Sequence, residues 1–150
     1  MTIMKYIITL GTFLILLMGT PSCKKDTMVK TDIKKLWDCN ASQHFDSAKL
    51  ADKLIGSWQW TETSSEKSTK QADKKVIVTF TSAGKFSVTE NSTVLTQGNW
   101  QLKIEDGDMF GLSVDTASQF LYGRILLCDN HVLFNDSYKD GADNLFTRTK

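Results

Sequence analysis

Cysteine and histidine are the side chains best suited to act as nucleophiles, bases or metal ligands. After residue 30 the chain has two of each, namely Cys39, Cys128, His44 and His131. Neither cysteine belongs to a Cys-x-x-Cys pair, which disfavours a redox or catalytic thiol. The two histidines are far apart in the sequence and have no ligand spacing around them, so the pattern predicts no metal site.

His131 is the histidine closest to a carboxylate, because it follows Asp129 in a stretch that is typical of a turn. No Gly-x-Ser-x-Gly motif and no paired-carboxylate pattern accompanies it. We therefore interpret His131 as a solvated turn residue. The sequence predicts no enzyme and no cofactor, since an enzyme would need a polar cluster with shifted acid or base groups.

The composition is that of an ordinary folded protein with room for one domain and a leader. The 150 residues are 41% hydrophobic and 23% charged, values that are far from those of disordered chains. Lys and Arg number 18 against 17 Asp and Glu, a formal net charge of +1. Such a balance argues against a dedicated nucleic-acid-binding protein.

Residues 1–22 have the three regions of a secretory signal peptide. Lys5 precedes the uncharged apolar run 6–18, and small residues follow at 19–22. The run is shorter than the roughly 20 residues of a comfortable membrane span. We therefore expect a cleaved leader.

The cysteine after this leader, Cys23, gives a second signal. Residues 18–23, MGTPSC, resemble a lipobox, the site at which bacterial lipoproteins are acylated on cysteine and cleaved just before it. The resemblance implies a protein that is anchored and does not span, because each buried methylene of the acyl chains contributes roughly 0.8 kcal/mol. We expect a location in the cell envelope, with the outer membrane as the expected membrane and its face left open.

Export also bears on Cys39 and Cys128. In an oxidising compartment two spare thiols usually pair, so we predict a disulfide between them. In the chain-entropy model a bridge of this span contributes roughly 4 to 5 kcal/mol. It would tie the N-terminal segment onto the body of the fold.

The periodicity divides the rest of the chain into a tether, a helix and a series of strands. Residues 23–45 are polar and mixed, with Trp37 as their large apolar group, and we interpret them as a lipidated tether. Residues 46–55 have apolar positions at helical spacing after a cap at Asp46 or Ser47, which predicts a short helix. From Gly56 onward the period is near 2 and no proline occurs. The predicted strands are 56–63, 76–81, 85–90, 94–104, 109–114, 120–127, 132–134 and 145–149, with a charged loop at 64–74.

About eight antiparallel strands, each with one apolar face and each joined to the next, must close into a barrel or form two packed sheets. The simple up-and-down order favours the barrel. Residues 46–150 are therefore predicted to form an all-β, eight-stranded antiparallel barrel after a short helix. The interior of such a barrel holds packed side chains or one small ligand.

The start of the barrel resembles a known family. Residues 54–58, in which a short helix enters the first strand through Gly56-Ser57-Trp58, are similar to the opening signature of lipocalins and the wider calycin barrels. In those folds the tryptophan packs at the closed end against an arginine of the last strand. This implies that Arg148 stacks on Trp58, a contact worth about 0.5–2 kcal/mol. From about residue 48 to the end, the chain resembles the lipocalin-like domains of bacterial lipoproteins.

Inward-facing aromatic residues near the strand ends are candidate ligand contacts, in competition with a plain packed core. They are Trp60, Phe80, Phe86, Trp100, Phe110 and Tyr122. Arg124 joins them if it shares the inward phase of Tyr122 and Leu126, where a carboxylate headgroup would pair with it. In the other phase Ile125 and Leu127 point inward and Arg124 lies in solvent. The pattern leaves both phases open.

Two hypotheses of function follow. The first is a membrane-anchored, lipocalin-like lipoprotein that binds or carries a small apolar ligand. The second is a filled barrel that serves as an interaction or inhibitor module, with the loop 64–74 in contact with a protein partner of the envelope. A packed interior without a cavity favours the second hypothesis.

Overall fold

The computed structural model describes residues 32–150, and Thr31–Lys150 form one compact unit. The predicted leader, residues 1–22, and Cys23 lie outside the described residues. Two helices, nine strands and one turn of 3-10 helix follow each other in the order α1 (Ile33–Gln43), α2 (Ser47–Leu54), β1 (Gly56–Ser65), β2 (Ser68–Gln71), β3 (Val76–Phe80), β4 (Lys85–Glu90), β5 (Thr93–Asp106), β6 (Met109–Val114), β7 (Arg124–Cys128), β8 (His131–Asn135), the 3-10 turn (Ser137–Lys139) and β9 (Asp143–Arg148).

Both helices begin at an aspartate that caps free backbone N–H groups. Asp32 accepts hydrogen bonds from the backbone N–H groups of Lys34 and Lys35, and Asp46 accepts one from the N–H of Lys49 at 2.8 Å. The second helix matches the prediction for residues 46–55. The first occupies Ile33–Gln43 within the predicted tether 23–45, and the reason is an apolar stripe at helical spacing that includes the buried Leu36.

Eight of the strands close into a barrel. β1 and β3 to β9 each pair antiparallel with the next, and β9 pairs back onto β1. The fold class predicted from the sequence, an all-β, up-and-down, lipocalin-like barrel, is confirmed. β2 lies outside this circle as a hairpin on the end of β1, from Glu62 opposite Gln71 to Ser65 opposite Ser68. It occupies part of the predicted charged loop.

The interior of the barrel is filled with apolar side chains from every wall strand. Pairs of rings meet edge to face, for example Phe80 with Trp100 at 5.2 Å and Phe134 with Phe146 at 5.8 Å between centroids. The buried inward residues include Trp58, Val76, Val78, Phe86, Val88, Leu112, Ile125, Leu127 and Val132. The middle of the barrel is therefore packed protein, with little room for a ligand along its axis.

Helix α2 closes one end of the barrel, where Leu50 and Leu54 are buried in the same core. The guanidinium carbon of Arg148 lies 4.1 Å from the ring centroid of Trp58, so the contact implied by the family resemblance is present. Arg148 also donates to the backbone oxygens of Lys53 and Ile55. A cation is favourable there, because the last carbonyls of a helix lack intrahelical partners.

The glycine of the signature makes room for this arginine. Gly56 has a φ of +128°, and a Cβ atom on it would lie 2.6 Å from Nη1 of Arg148. The indole N–H of Trp58 donates to the oxygen of Leu54 at 2.8 Å. A side chain at residue 56 would therefore strain the backbone and displace Arg148 from the helix end.

A second apolar cluster lies outside the barrel, between α1 and the outer face of β7 to β9. Leu36 of α1 is buried there with Leu126, Leu133 and Leu145. The predicted disulfide is confirmed, since Cys39 of α1 is bonded to Cys128 of β7, with the Cα atoms 5.8 Å apart. Neither helix of the described part has the length and apolarity needed to cross a membrane.

Candidate functional site

A pocket of about 430 Å³ lies at the end of the barrel opposite α2. We call it the mouth pocket. Its volume falls within the range of small-molecule sites, roughly 300–1,000 Å³. It is lined by Trp60, Thr63, Asp73, Lys74, Glu90, Gln119, Phe120, Ala142 and Asn144.

A β-bulge in β1 sets which side chains reach the mouth pocket. The register against β9 shifts between Trp60, opposite Phe146, and Glu62, opposite Leu145. Because of this extra residue, Trp60 and Thr63 both line the pocket. Glu62 is buried on the other face, where it accepts a hydrogen bond from the side-chain amide of Gln71 at 2.8 Å.

Phe120 closes the mouth pocket from above the core. It belongs to the loop between β6 and β7, not to a strand as predicted, because β7 begins at Arg124. Its ring meets Trp60 edge to face at 5.3 Å and Phe146 at 6.4 Å between centroids. In the sequence, Phe120 and Leu121 form an apolar pair that indicates burial. The pair was predicted to belong to the strand 120–127, whereas it lies in the loop before β7.

The polar groups of the mouth pocket are unevenly satisfied. The indole N–H of Trp60 is buried and has no hydrogen-bond partner within the described chain. The side-chain amide of Asn144 donates to the backbone oxygen of Gln119 at 3.3 Å, and Lys74 pairs with Glu90 at 3.1 Å on the rim. Because the N–H of Trp60 is also closed to solvent, a ligand in the mouth pocket would meet the ring of Trp60 and not its N–H group.

The predicted ligand contacts lie in three different surroundings. Trp60 lines the mouth pocket. Phe80, Phe86 and Trp100 are buried in the barrel core, where each packs against other side chains. Phe110 lines a separate pocket beneath α1. The mouth pocket thus contains one of these aromatic residues, Trp60, together with Phe120, which the sequence pattern did not indicate as a ligand contact.

Neither Tyr122 nor Arg124 faces the interior. Tyr122 lies in the loop before β7 and is 47% exposed, and for Arg124 the structure has the second of the two phases left open above. Arg124 points away from the interior, since Ile125 and Leu127 occupy the inward positions of β7. It is not in solvent either, because its guanidinium carbon lies 5.1 Å from the ring of Trp37 and 3.9 Å from that of Tyr138.

Arg124 connects α1 to the ends of the outer strands. Its Nη1 donates to Asp106 at 3.2 Å, and its Nε donates to the side-chain oxygen of Asn135 at 3.1 Å. The burial of its charge is offset by these two acceptors and two ring faces. We interpret Arg124 as a structural residue of the second apolar cluster.

The densest charge cluster of the described chain surrounds Glu105, next to Arg124. Its carboxylate accepts from Lys103 at 2.7 Å, from Lys139 at 2.5 Å and from the hydroxyl of Tyr138 at 3.0 Å. These hydrogen bonds, that of Lys103 first, lower the pKa of Glu105 to about 2. The same contact with Glu105 raises the pKa of Lys139. Every member has a partner, so the cluster is suited to holding strands together.

Cys39, Cys128 and Asp129 lie close enough together to hold a metal ion. However, the two sulfurs are joined in the disulfide and offer no thiolate.

No protein-family model, curated protein or solved structure matches the chain.

Proposed function

We propose that the protein is a lipid-anchored lipoprotein of the cell envelope whose lipocalin-like barrel binds a small ligand at its mouth. It has no enzymatic step of its own. The observation that carries the proposal is the mouth pocket of about 430 Å³, in which Trp60 and Phe120 form an apolar wall beside the polar side chains of Thr63 and Asn144. Such a mixture of an apolar wall and a few convergent polar groups is typical of ligand sites.

The geometry indicates the kind of ligand. An apolar ring or short chain would contact Trp60 and Phe120, and a polar head group would meet Thr63 and Asn144. The filled core sets the size limit, because Phe120 separates the mouth pocket from the packed interior. The ligand is therefore small and amphipathic, and its polar end lies near the Lys74 and Glu90 pair.

The anchor is supported by the sequence and by one feature of the fold. The leader and the lipobox-like residues around Cys23 favour export and acylation. The disulfide between Cys39 and Cys128 agrees with an oxidising compartment. Expression of the full chain and of Cys23→Ser with labelled palmitate tests the anchor. Label and membrane fractionation should be lost in the variant, and an unlabelled wild-type chain would overturn the proposal.

Binding at the mouth is tested by titrating the segment Lys24–Lys150 with short-chain fatty acids and with fluorescent apolar probes. Trp60→Ala should raise Kd at least tenfold, because it removes the largest apolar side chain of the pocket wall. Trp60→Phe should keep most of the affinity, because it restores an aromatic ring there. Tyr122→Ala is the matched control, since it removes an exposed aromatic residue outside the pocket. Unchanged affinity in Trp60→Ala would contradict a mouth site.

The second candidate is a filled barrel that contacts a protein partner. The packed core favours it, and so do Val94 and Leu95 at the start of β5, which are 54% and 51% exposed. Neighbouring exposed apolar residues often belong to interaction surfaces. A protein that takes up no small ligand, but whose Val94→Asp variant loses a crosslinked partner of the envelope, would favour this candidate.

A further inference from the structure

The wall of the barrel has one thin interface. Elsewhere in the wall, neighbouring strands pair over four to six residue pairs. β6 and β7 pair in the described chain at Gly111 and Arg124 only. From this point the two strands run on toward Met109 and Cys128 without a ladder between them.

Helix α1 covers this gap. The backbone N–H of Leu127 in β7 donates to the side-chain oxygen of Asn40 at 2.8 Å, a bond that a neighbouring strand would normally supply. The helix thus serves as a substitute for the missing ladder. Helix α1 is attached to β7 through Asn40 and Cys39, and a space remains between the helix and β6.

A second pocket, of about 350 Å³, lies in the gap. We call it the side pocket. Its walls come from both helices, their connection, β6 and β7, and its apolar lining includes Phe45, Leu50, Met109, Phe110 and Ile125. Leu50 and Ile125 belong to the barrel core, whereas Met109 packs on the outer cluster. The side pocket is a partly open cleft between the two apolar clusters, and a ligand in it would remove apolar wall from water.

The walls of the side pocket are fixed before any ligand arrives. The disulfide holds Cys39 to β7, the side chain of Asn40 is bonded to Leu127, and Trp37 stacks on Arg124. A ligand would therefore order few groups on binding. This favours affinity, because immobilising side chains and loops is a large part of the cost of association.

The charge of the lining selects the head group. Asp108, in the turn between β5 and β6, lines the side pocket, and the lining includes no lysine or arginine. His44 and Asn40 supply the other polar groups at the rim. A cationic, hydrogen-bond-donating head group is complementary to this rim, whereas a carboxylate would lie against Asp108.

The volume of the side pocket sets the length of the chain. A methylene group takes about the space of a water molecule in the liquid, roughly 30 Å³. The pocket of about 350 Å³ therefore has room for an alkyl chain of about ten carbons.

We propose that the side pocket is a second binding site that takes an alkylamine, with the chain between Phe110 and Ile125 and the ammonium group beside Asp108. The site is independent of the mouth pocket. It uses residues of α1 and of the gap that the mouth pocket does not touch.

The test is a titration of ¹⁵N-labelled Lys24–Lys150, which contains the whole compact unit, with decylamine below its micelle concentration. Amide shifts should centre on Ala41, Phe110 and Ile125. Ala41→Trp should fill the pocket and raise Kd at least tenfold. Ala48→Trp is the matched control, because Ala48 is an exposed alanine of α2 that is not part of the lining, and it should keep the wild-type Kd.

Head-group selection is tested by comparing decylamine with decanol and decanoate. Asp108→Asn should raise the Kd of decylamine three- to tenfold and leave that of decanol unchanged. Tyr122→Ala, which removes an exposed aromatic residue that lines neither pocket, should leave both unchanged, and the position of the amide shifts separates this site from the mouth pocket. Shifts centred on Trp60 and Asn144, wild-type affinity in Ala41→Trp, or equal affinity for decanoate would each overturn the proposal.

Discussion

The molecule uses an arginine stacked on tryptophan twice, once at the closed end of the barrel and once beneath α1. Arg148 lies 4.1 Å from the ring centroid of Trp58 and binds the carbonyls at the end of α2. Arg124 lies 5.1 Å from the ring centroid of Trp37 and pairs with Asp106 and Asn135. Each arginine attaches one helix to the barrel.

The two regions differ in where the partners come from. Trp58 and Arg148 are opposite each other in the register of β1 and β9, and the helix they hold is joined directly to β1. The partners of Arg124 come from α1, the last residue of β5, β8 and the 3-10 turn. The closed end therefore depends on pairing that the barrel already makes, and the α1 side depends on contacts that form only when several distant segments meet.

The disulfide is the strongest attachment on the α1 side. The Cys39→Ser/Cys128→Ser variant should lose about 4 kcal/mol of unfolding free energy, because the bond closes a loop with a sequence separation of 89. Urea unfolding followed by circular dichroism measures this loss. Faster amide exchange should appear in α1 and not in α2. Equal loosening of both helices would show that the two regions are not separate.

Removal of the closed-end arginine should be the next largest effect. Arg148→Met loses the stack on Trp58 and leaves two carbonyls of α2 without their donor, at a cost of about 2–3 kcal/mol. Arg148→Lys should recover little of this, because a single ammonium lacks the planar fork that reaches both oxygens. Chemical denaturation checks the order of the three proteins, and full recovery by lysine would contradict the role of the fork.

Arg124→Met should cost less, about 1–2 kcal/mol. The ring contacts with Trp37 and Tyr138 can be kept in part by a methionine, and Asp106 is half exposed and regains water. The same denaturation experiment compares it with Arg148→Met. A larger loss for Arg124 than for Arg148 would reverse the comparison between the two regions.

The carboxylate cluster beside Arg124 should give an effect no larger than that of Arg124→Met, and one that depends on pH. The pKa of Glu105 is lowered from 4.5 to about 2, so its contribution to stability is complete above pH 4.5 and is lost as the pH falls toward 2. We expect about 1–2 kcal/mol, since Lys103 and Lys139 are half exposed and water screens them. Glu105→Gln should flatten the acid limb of stability against pH, and an unchanged limb would contradict the assignment.

The barrel was predictable because its strands carry local alternation. β4 and β6 have the bounds that the sequence predicts, and Gly56, Trp58 and Arg148 lie at the closed end as the family resemblance implies. β2 was missed since all four of its residues are exposed and show no apolar alternation. Its pairing depends on the neighbouring end of β1, which a local pattern does not contain.

The candidate sites were less predictable, for a physical reason. Ile33, Leu36 and Trp37 have helical spacing, but their burial depends on an apolar outer face of β7 to β9 that the alternation of those strands hides. Phe120 and Leu121 have the pattern of a strand, yet they turn into the core from a loop. The surroundings of Arg124 could not be predicted for the same reasons. The start of β7 decides which face its side chain takes, and its ring partners Trp37 and Tyr138 come from α1 and the 3-10 turn, which were not predicted.

Binding of a small ligand at the mouth pocket is the central claim, and native mass spectrometry of Lys24–Lys150 tests it most directly. The protein should be purified oxidised and measured before and after organic extraction, beside Trp60→Ala. We predict an added small-molecule mass that extraction removes, that returns on incubation with the extract, and that Trp60→Ala does not carry. A wild-type protein of bare mass, which takes up neither the extract nor fluorescent apolar probes, would contradict the account.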